Sequence, residues 1–326
     1  MNTTQAQLGQ VLAAGGPALP RLLERTEVRL AEIADSHGPE LAHHSAGTLT
    51  AGGKRLRPLL VFLCADVDAE SALRAAVAVE LLHMATLVHD DVLDRAPLRR
   101  GRPTVFADGG RGAATATGDL LFSRAFAELA AARSEDAVRV LSAASSALAR
   151  GELMQRADAW SESVAPERYL ERCRLKTASL FEAACRLGAL FGDRPALAQA
   201  LGSFGERVGV AFQILDDVLD VSGPPERTGK PRGTDLLDGT VTLPLILARE
   251  RDPELRDLDL RWVVTEPAQA SALCDRIALT GVLSDARAEA LARVAEAKAA
   301  LGGLDLPERR RQALDLVADG VVERYA

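Results

Sequence analysis

The chain has 326 residues, of which 48% are hydrophobic, 4% aromatic and 26% charged, with 39 basic against 46 acidic residues and a formal net charge of −7. That composition excludes a disordered or low-complexity chain and a strongly basic nucleic-acid binder, and the length supplies a core without a disulfide framework. Cys64, Cys173, Cys185 and Cys274 form no CxxC pair, so reduced and mostly buried thiols are expected, not a zinc or redox site.

Residues 1–10 have neither a basic start nor an apolar core, so no leader is expected and the cytoplasm is the expected location. No uncharged apolar run approaches ~18 residues, so no membrane span is expected. Ala, Leu, Val and Arg dominate, and strand-type alternation is nearly absent. Pro and Gly punctuation predicts helices over about 21–35, 57–66, 70–96, 112–131, 135–160, 167–191, 196–221 and 234–250, and towards the C-terminus over 282–301 and 307–324. The stretch 75–93 is apolar on most faces, as a central helix of a large bundle is. No linker interrupts the pattern, so 1–326 is read as one all-α domain, a single large helical bundle. Three loops stand out. Ala51-Gly52-Gly53 precedes Lys54-Arg55-Leu56-Arg57-Pro58, the segment 97–103 carries Arg99, Arg100 and Arg102, and 223–230 is a long turn of lid type.

One short string occurs twice. Residues 87–94 read LVHDDVLD and residues 213–220 read QILDDVLD. Each copy ends a predicted apolar helix. Asp90 and Asp94 share one helical face, as do Asp216 and Asp220, with Asp91 and Asp217 beside them. Like charges one turn apart repel, and acidic groups at a helix C-terminus oppose the macrodipole. Both clusters therefore call for cations. The ligands are all hard oxygens and no cysteine joins them, which selects Mg²⁺ or Mn²⁺ over zinc. Mg²⁺ completes its shell with water and substrate phosphates, so two such clusters point to a diphosphate held through metal ions. Arg99 and Arg100 after the first cluster, and Lys230 after the second, supply the complementary charge. Lys176, in the apolar run 175–180, reads on its own either as a snorkelling surface lysine or as part of that clamp. Gly52-Gly53-Lys54 with Arg57 reads either as an ordinary basic turn or as a seat for a second phosphate group.

With these residues in view, the chain resembles the all-trans polyprenyl diphosphate synthases, which elongate isoprenoid chains head to tail. The motifs that carry the resemblance are GGKRLRP at 52–58, HDDVLD at 89–94 followed by RRGRPT at 99–104, GD at 118–119, GELMQ at 151–155, KTASL at 176–180, FQILDDVLD at 212–220, GKPRGTDL at 229–236 and TLP at 242–244. Each is weak alone, and their order and spacing together are specific. The resemblance implies a bundle of the isoprenoid synthase type and a homodimer. It implies that Asp90, Asp91 and Asp94 bind two Mg²⁺ on the allylic diphosphate, and that Asp216 takes a third with Asp217 and Asp220 in its shell. Arg99, Lys176, Thr177, Gln213 and Lys230 would contact the allylic substrate, with Lys176, Asp216 and Lys230 as catalytic residues. Lys54, Arg57, His83 and Arg100 would hold isopentenyl diphosphate. The sequence departs from the family after Gly239, where a Lys is frequent and Thr240 stands here. Weaker diphosphate affinity is expected from that change, not lost chemistry.

Product length depends on what lies deeper in the pocket. Thr86 and Ala85 precede Asp90 by four and five residues, roughly 6–7.5 Å along the helix. Both are small, so the tunnel stays open there, with Leu81, Leu82, Phe122 and Phe126 as the next floors. The string HMATLVHDD at 83–91 is also similar to that of the longer-chain members, so with the tunnel open the resemblance implies a product of roughly six to ten isoprene units, with a geranylgeranyl product as the alternative. Two further readings are weaker. A class I terpene cyclase would lack GGKxxRP and the second DDxxD. A non-catalytic prenyl-binding partner subunit would have lost aspartates that this chain keeps.

Overall fold

The computed structural model describes residues 3–38, 42–44, 55–99, 101–223 and 232–323. Lys54, Arg100 and Lys230 lie outside the described residues, as do the whole 51–54 turn and the lid-type turn after Gly223. The described chain is almost wholly helical. Helices run over Thr3–Gly15, Ala18–Asp35, Leu56–Ala65, Glu70–Leu93, Val105–Ala131, Glu135–Asp158, Pro166–Cys173, Ser179–Phe191, Ala198–Ser222, Leu243–Arg251, Pro267–Leu279, Val282–Gly302 and Glu308–Glu323, with shorter turns between. Two-residue strands, Leu98–Arg99 and Arg102–Pro103, pair antiparallel around Gly101.

Most predicted helices are present within a few residues, and the differences have local causes. Gly110 adopts φ 74° and ψ −178°, so the regular helix after the hairpin starts close to the predicted residue 112. The predicted helix 167–191 carries a π-helical turn at Arg174–Ala178. The predicted helix 234–250 is divided by the turn at Gly239, whose φ is 71°. All four cysteines are free and buried.

The chain divides into two compact units. The first comprises Met1–Ser145, Leu180–Gly205 and Leu301–Leu316. Its centre is the helix Glu70–Leu93, which packs chiefly on Val105–Ala131 and on Leu56–Ala65. Ala72, Ala75, Ala76, Val77, Ala78 and Val79 are wholly buried there. Small side chains on several faces let helices approach it from more than one direction. Among the described residues this is the one helix long and apolar enough to cross a membrane, and 72% of its most apolar window is buried inside the protein. Arg74 and Glu80 interrupt it, so it is not an uncharged run. Burial of that kind is the mark of a core helix.

Charge inside this unit is gathered on Glu128, which is 2% exposed. It accepts from Arg29 at 2.8 Å, Arg74 at 3.1 Å and Arg124 at 3.4 Å, joining three helices. Arg310, almost fully buried, donates to the carbonyl of Leu63 at 2.8 Å and to Asp193 at 3.2 Å. It thereby ties the C-terminal helix into the unit.

The second unit comprises Ser146–Ser179, Glu206–Ala300 and Val317–Ala326. Here arginines hold irregular backbone. Buried Arg172 donates to the carbonyl of Val241, and Arg249 donates to that of Ser161 at 2.8 Å. Asp252 accepts from the backbone N–H of Glu254 and from Arg276 at 2.7 and 2.9 Å.

The Glu128 node yields a prediction. Glu128→Ala leaves three guanidinium groups without their shared carboxylate. The loss is expected to be about 2 kcal/mol, below the range for a fully buried pair because the arginines keep contact with water. Urea denaturation followed by circular dichroism measures it. An unchanged midpoint would show that the node contributes nothing.

Candidate active site

In the first unit the DDVLD cluster ends the helix Glu70–Leu93. Burial along its last turns is not uniform. His83, Thr86, Leu87 and Asp90 are partly exposed and Asp94 is exposed, whereas Leu81, Leu82, Met84, Ala85 and Val88 are buried. The accessible positions recur at the helical spacing, so they form one stripe that leads to the carboxylates. Thr86 sits roughly 40° around the helix from Asp90, and Ala85 roughly 140°. Of the two small residues, Thr86 is on the stripe and Ala85 is packed, with Leu82, on the inner side. The Thr86 hydroxyl donates to the carbonyl of His83 at 2.7 Å.

Asp91 differs from its neighbours. It is 4% exposed and accepts from Arg99 Nε at 2.9 Å and Nη2 at 2.8 Å. The hairpin that follows the helix places Arg99 for this pairing, and Thr104 fastens the hairpin by donating to the carbonyl of Ala96 at 2.6 Å and accepting from the Ala107 N–H at 3.0 Å. The pairing neutralises the buried carboxylate, whereas Asp90 is partly exposed and Asp94 exposed.

In sequence His89 is only the first residue of the HDDVLD motif. Its Nε2 lies 3.2 Å from Asp119 Oδ1. The ring rests directly over Gly118, where a Cβ would stand 2.3 Å from Nε2. The GD pair at 118–119 thus has a physical reading. Glycine leaves room for the ring, and aspartate holds its nitrogen. Arg57 of the basic motif is partly buried and lies 4.6 Å over the ring of Phe181. Its neighbour Arg55 is committed elsewhere, to Glu27 and to buried Glu80 at 2.7 Å.

In the second unit the π turn Arg174–Ala178 carries Lys176 and Thr177. A π turn inserts a residue into the helical ladder and re-aims the side chains on it, and such turns occur frequently at functional sites. The helix Glu135–Asp158 passes so close to this turn that a Cβ on Gly151 would lie 2.5 Å from the Lys176 nitrogen. The next residue, Glu152, accepts from Lys176 Nζ and from Arg156 at 2.7 Å. Burial opposes ionisation of Glu152, but these two cations prevail and hold its carboxyl below the usual range. Sequence reasoning quoted GELMQ without assigning Glu152. Its partnership with Lys176 is a tertiary fact.

Thr177 Oγ1 donates to Gln213 Oε1 at 2.6 Å, and Gln213 Nε2 donates to Asp217 Oδ1 at 2.7 Å. The buried Tyr169 hydroxyl donates to the other oxygen, Asp217 Oδ2, at 2.7 Å. Both oxygens of Asp217 are therefore engaged. Asp220 is held as well, accepting the N–H groups of Thr234 at 3.1 Å and Asp235 at 3.2 Å. Burial and the charge of Asp235 push the carboxyls of Asp217 and Asp220 well above the usual range. Burial and Asp217 push Tyr169 up in turn. Asp216 is the exposed member of this cluster. Thr240 follows Gly239, whose backbone lies against the Trp160 indole, and its N–H donates to the Asp235 carbonyl at 2.8 Å.

The donor set fits hard divalent cations. Asp90, Asp94 and Asp216 offer carboxylate oxygens to solvent, with further carboxylates behind them and neither sulfur nor imidazole between them at the helical spacing. Tyr169 was not singled out from sequence, and the aromatic type alone carried no signal. Tyr169→Phe is expected to cost about 1–3 kcal/mol, because Asp217 Oδ2 loses its donor inside the protein. A double-mutant cycle with Asp217→Asn, read by chemical denaturation, should give a coupling of about 1 kcal/mol or more. Additive effects would mean that the pair does not interact.

Comparisons with known proteins identify the family. The polyprenyl synthetase family model matches residues 39–277. A heptaprenyl diphosphate synthase component 2 from Geobacillus stearothermophilus is 39% identical over 288 residues, which is 87% of this chain and 90% of that protein. A geranylgeranyl diphosphate synthase from Methanosarcina mazei is 40% identical over 66% of this chain and 69% of its own length. Among solved structures, a decaprenyl diphosphate synthase from Rhodobacter capsulatus superposes with a TM-score of 0.89 at 32% identity, over 98% of this chain and 99% of that one. Sequence, fold and relatives converge: the chain belongs to the polyprenyl synthetase family and is an all-trans isoprenyl diphosphate synthase, a transferase of prenyl groups.

Proposed function

We propose that this synthase adds isopentenyl diphosphate to an allylic diphosphate, using Mg²⁺, and releases an all-trans product of medium to long chain. The observation that carries the proposal is the repeated DDVLD, in which each copy has an outward aspartate backed by carboxylates that are paired within the protein. Asp90 and Asp94 would hold cations on the allylic diphosphate, and Asp216 a further one. When bound, these ions neutralise the charge that builds on the diphosphate as the allylic C–O bond breaks. Lys176 and Thr177 orient the allylic diphosphate, and Glu152 keeps the lysine extended until it does so. We assign Gln213 and Arg99 to the allylic substrate as well, and Lys230 to the same clamp. Lys54, Arg57, His83 and Arg100 hold isopentenyl diphosphate with its double bond towards the allylic carbon. The apolar wall beyond Asp90 excludes water from the carbocation. The double bond attacks, and the proton lost from the adduct passes to the diphosphate leaving group.

A product of roughly six to ten isoprene units is supported by the small residues that precede Asp90 by about 6–7.5 Å. The names of the heptaprenyl and decaprenyl relatives support it as well. The Methanosarcina relative makes geranylgeranyl the second reading. We take 1–326 to act as one catalytic domain, in a cytoplasmic homodimer with no membrane span. The Geobacillus relative is named as a component 2, which raises a second polypeptide as an alternative partner.

Incubating the purified chain with Mg²⁺, labelled isopentenyl diphosphate and geranyl, farnesyl or geranylgeranyl primers tests this directly. Long all-trans products are expected, arrest at geranylgeranyl would select the second reading, and no elongation would overturn the assignment. Asp90→Asn and Asp216→Asn should each lower kcat by about 10²–10³ with an unchanged circular dichroism spectrum. Retention of a third of the wild-type rate at saturating Mg²⁺ would sink the metal assignment.

Thr86→Phe should shorten the product, because its ring enters the accessible stripe. Ala85→Phe should also shorten it, at a stability cost of ~1–3 kcal/mol from overpacking the inner face. An unchanged product distribution in both variants would mean that the tail follows another helix.

A further inference from the structure

The aspartate clusters are built for hard cations, but a different donor set lies elsewhere in the first unit. Five histidines occur in the chain, and two of them, His43 and His44, are adjacent in a short helical turn. Both face Asp108, near the start of the helix Val105–Ala131. His43 Nε2 lies 3.0 Å from Asp108 Oδ2 and His44 Nδ1 lies 3.5 Å from the same oxygen. One ligand atom from each of the three residues falls within 4.8 Å of the others. We propose that His43, His44 and Asp108 form a binding site for a borderline transition-metal dication of the Zn²⁺ and Co²⁺ class, chemically separate from the oxygen-only Mg²⁺ clusters.

The distances suit such an ion. Zn–N and Zn–O bonds of about 2.0–2.2 Å in a tetrahedral shell place neighbouring ligand atoms about 3.3 Å apart. The two contacts to Asp108 straddle that value. The ligand types suit it equally. Two imidazoles and a carboxylate favour zinc, cobalt or nickel, whereas Mg²⁺ and Ca²⁺ prefer oxygens throughout. Three protein ligands leave a fourth position for water, and the side chains of His43 and Asp108, 71% and 49% exposed, leave the ion a path in.

His44 is the residue whose setting separates a metal site from a chance surface ion pair. Its side chain is only 20% exposed. The far edge of the ring, Cε1 and Nε2, lies over Gly109, where a Cβ would stand 2.8 and 3.1 Å away. The backbone thus fixes which edge faces Asp108. The nitrogen on that edge, Nδ1, is buried and has no hydrogen-bond partner among the described residues. A simple His43–Asp108 pair would not need it. A bound dication accepts its lone pair and satisfies a polar atom that is otherwise unmatched. The two rings stand edge to face at 5.3 Å, so neither blocks the other's nitrogen. The ion would fasten the 42–44 turn to the helix that carries Asp119, the partner of His89.

The test uses tag-free, chelator-stripped full-length protein in excess MgCl₂, so that the aspartate clusters are filled. Titration with Co²⁺ should show saturable binding of a single ion with the strong visible absorption of tetrahedral cobalt. No thiolate charge-transfer band should accompany it, because no cysteine is a ligand. Zn²⁺ should displace the signal and should raise Tm, since it binds the folded state. His44→Ala and Asp108→Asn should each weaken Co²⁺ binding by at least tenfold, while His37→Ala should not. His43→Gln guards against misfolding as a cause, since His43 is on the surface. It should lose the signal with an unchanged circular dichroism spectrum. Absence of Mg²⁺-resistant Co²⁺ binding would overturn the proposal. So would binding that survives His44→Ala, or binding that carries a thiolate band.

Discussion

Carboxylates brought together at helix ends repel one another, and the arrangement around both DDVLD strings is organised by that repulsion. Like charges a helical turn apart destabilise the helix that bears them, and the helix dipole adds to the cost. In each cluster the inner aspartate is buried and accepts hydrogen bonds from protein groups. Arg99 pairs with Asp91, whereas Tyr169 and Gln213 donate to Asp217. The outer aspartates, Asp94 in one string and Asp216 in the other, are left exposed. The division of labour is the same in both copies, although the groups that achieve it differ. A guanidinium does it in one case, and a phenol with an amide in the other. The second solution adds no positive charge, and burial with the charge of Asp235 pushes the carboxyls of Asp217 and Asp220 up.

The cationic side of the site obeys the same rule. A lysine in an apolar run has nothing to hold it in place, and Lys176 is held by Glu152 from the neighbouring helix. Close approach makes this pairing possible, and Gly151 permits that approach. The π turn gives Lys176 and Thr177 adjacent but distinct tasks. The lysine faces Glu152, and the threonine reaches Gln213 and through it Asp217. A chain of direct contacts therefore runs from the turn to the aspartate cluster. A substitution at Gln213 will be felt at both ends, as expected for members of one hydrogen-bond network.

Much of this protein was legible in its sequence because the relevant signals are local. Pro and Gly spacing predicted the long helices, and the i, i+4 spacing put Asp90 with Asp94 and Asp216 with Asp220. The glycine at 110 and the turn at 239 shifted or divided elements in ways that positive φ explains after the fact. The π turn was not legible. A five-residue change in hydrogen-bond ladder leaves no periodic trace when the flanking segments are both helical. Ala85 and Thr86, adjacent in sequence and both small, were indistinguishable until burial separated the packed residue from the accessible one.

By itself the sequence determined the fold class, the family and the chemical type of both carboxylate clusters. Composition, helical periodicity and ordered motifs are properties of the chain alone, so they survive without coordinates. Only the tertiary structure decided which aspartates are buried and which are exposed, what holds Lys176, and why Gly118 and Gly151 are glycines. It alone brought His43 and His44 to Asp108, 65 residues from His43 along the chain. Those outcomes depend on contacts between segments far apart in sequence, made by packing of apolar faces that many partners could equally have satisfied. The identity of a polar neighbour is therefore written in the packed fold and not in the local pattern.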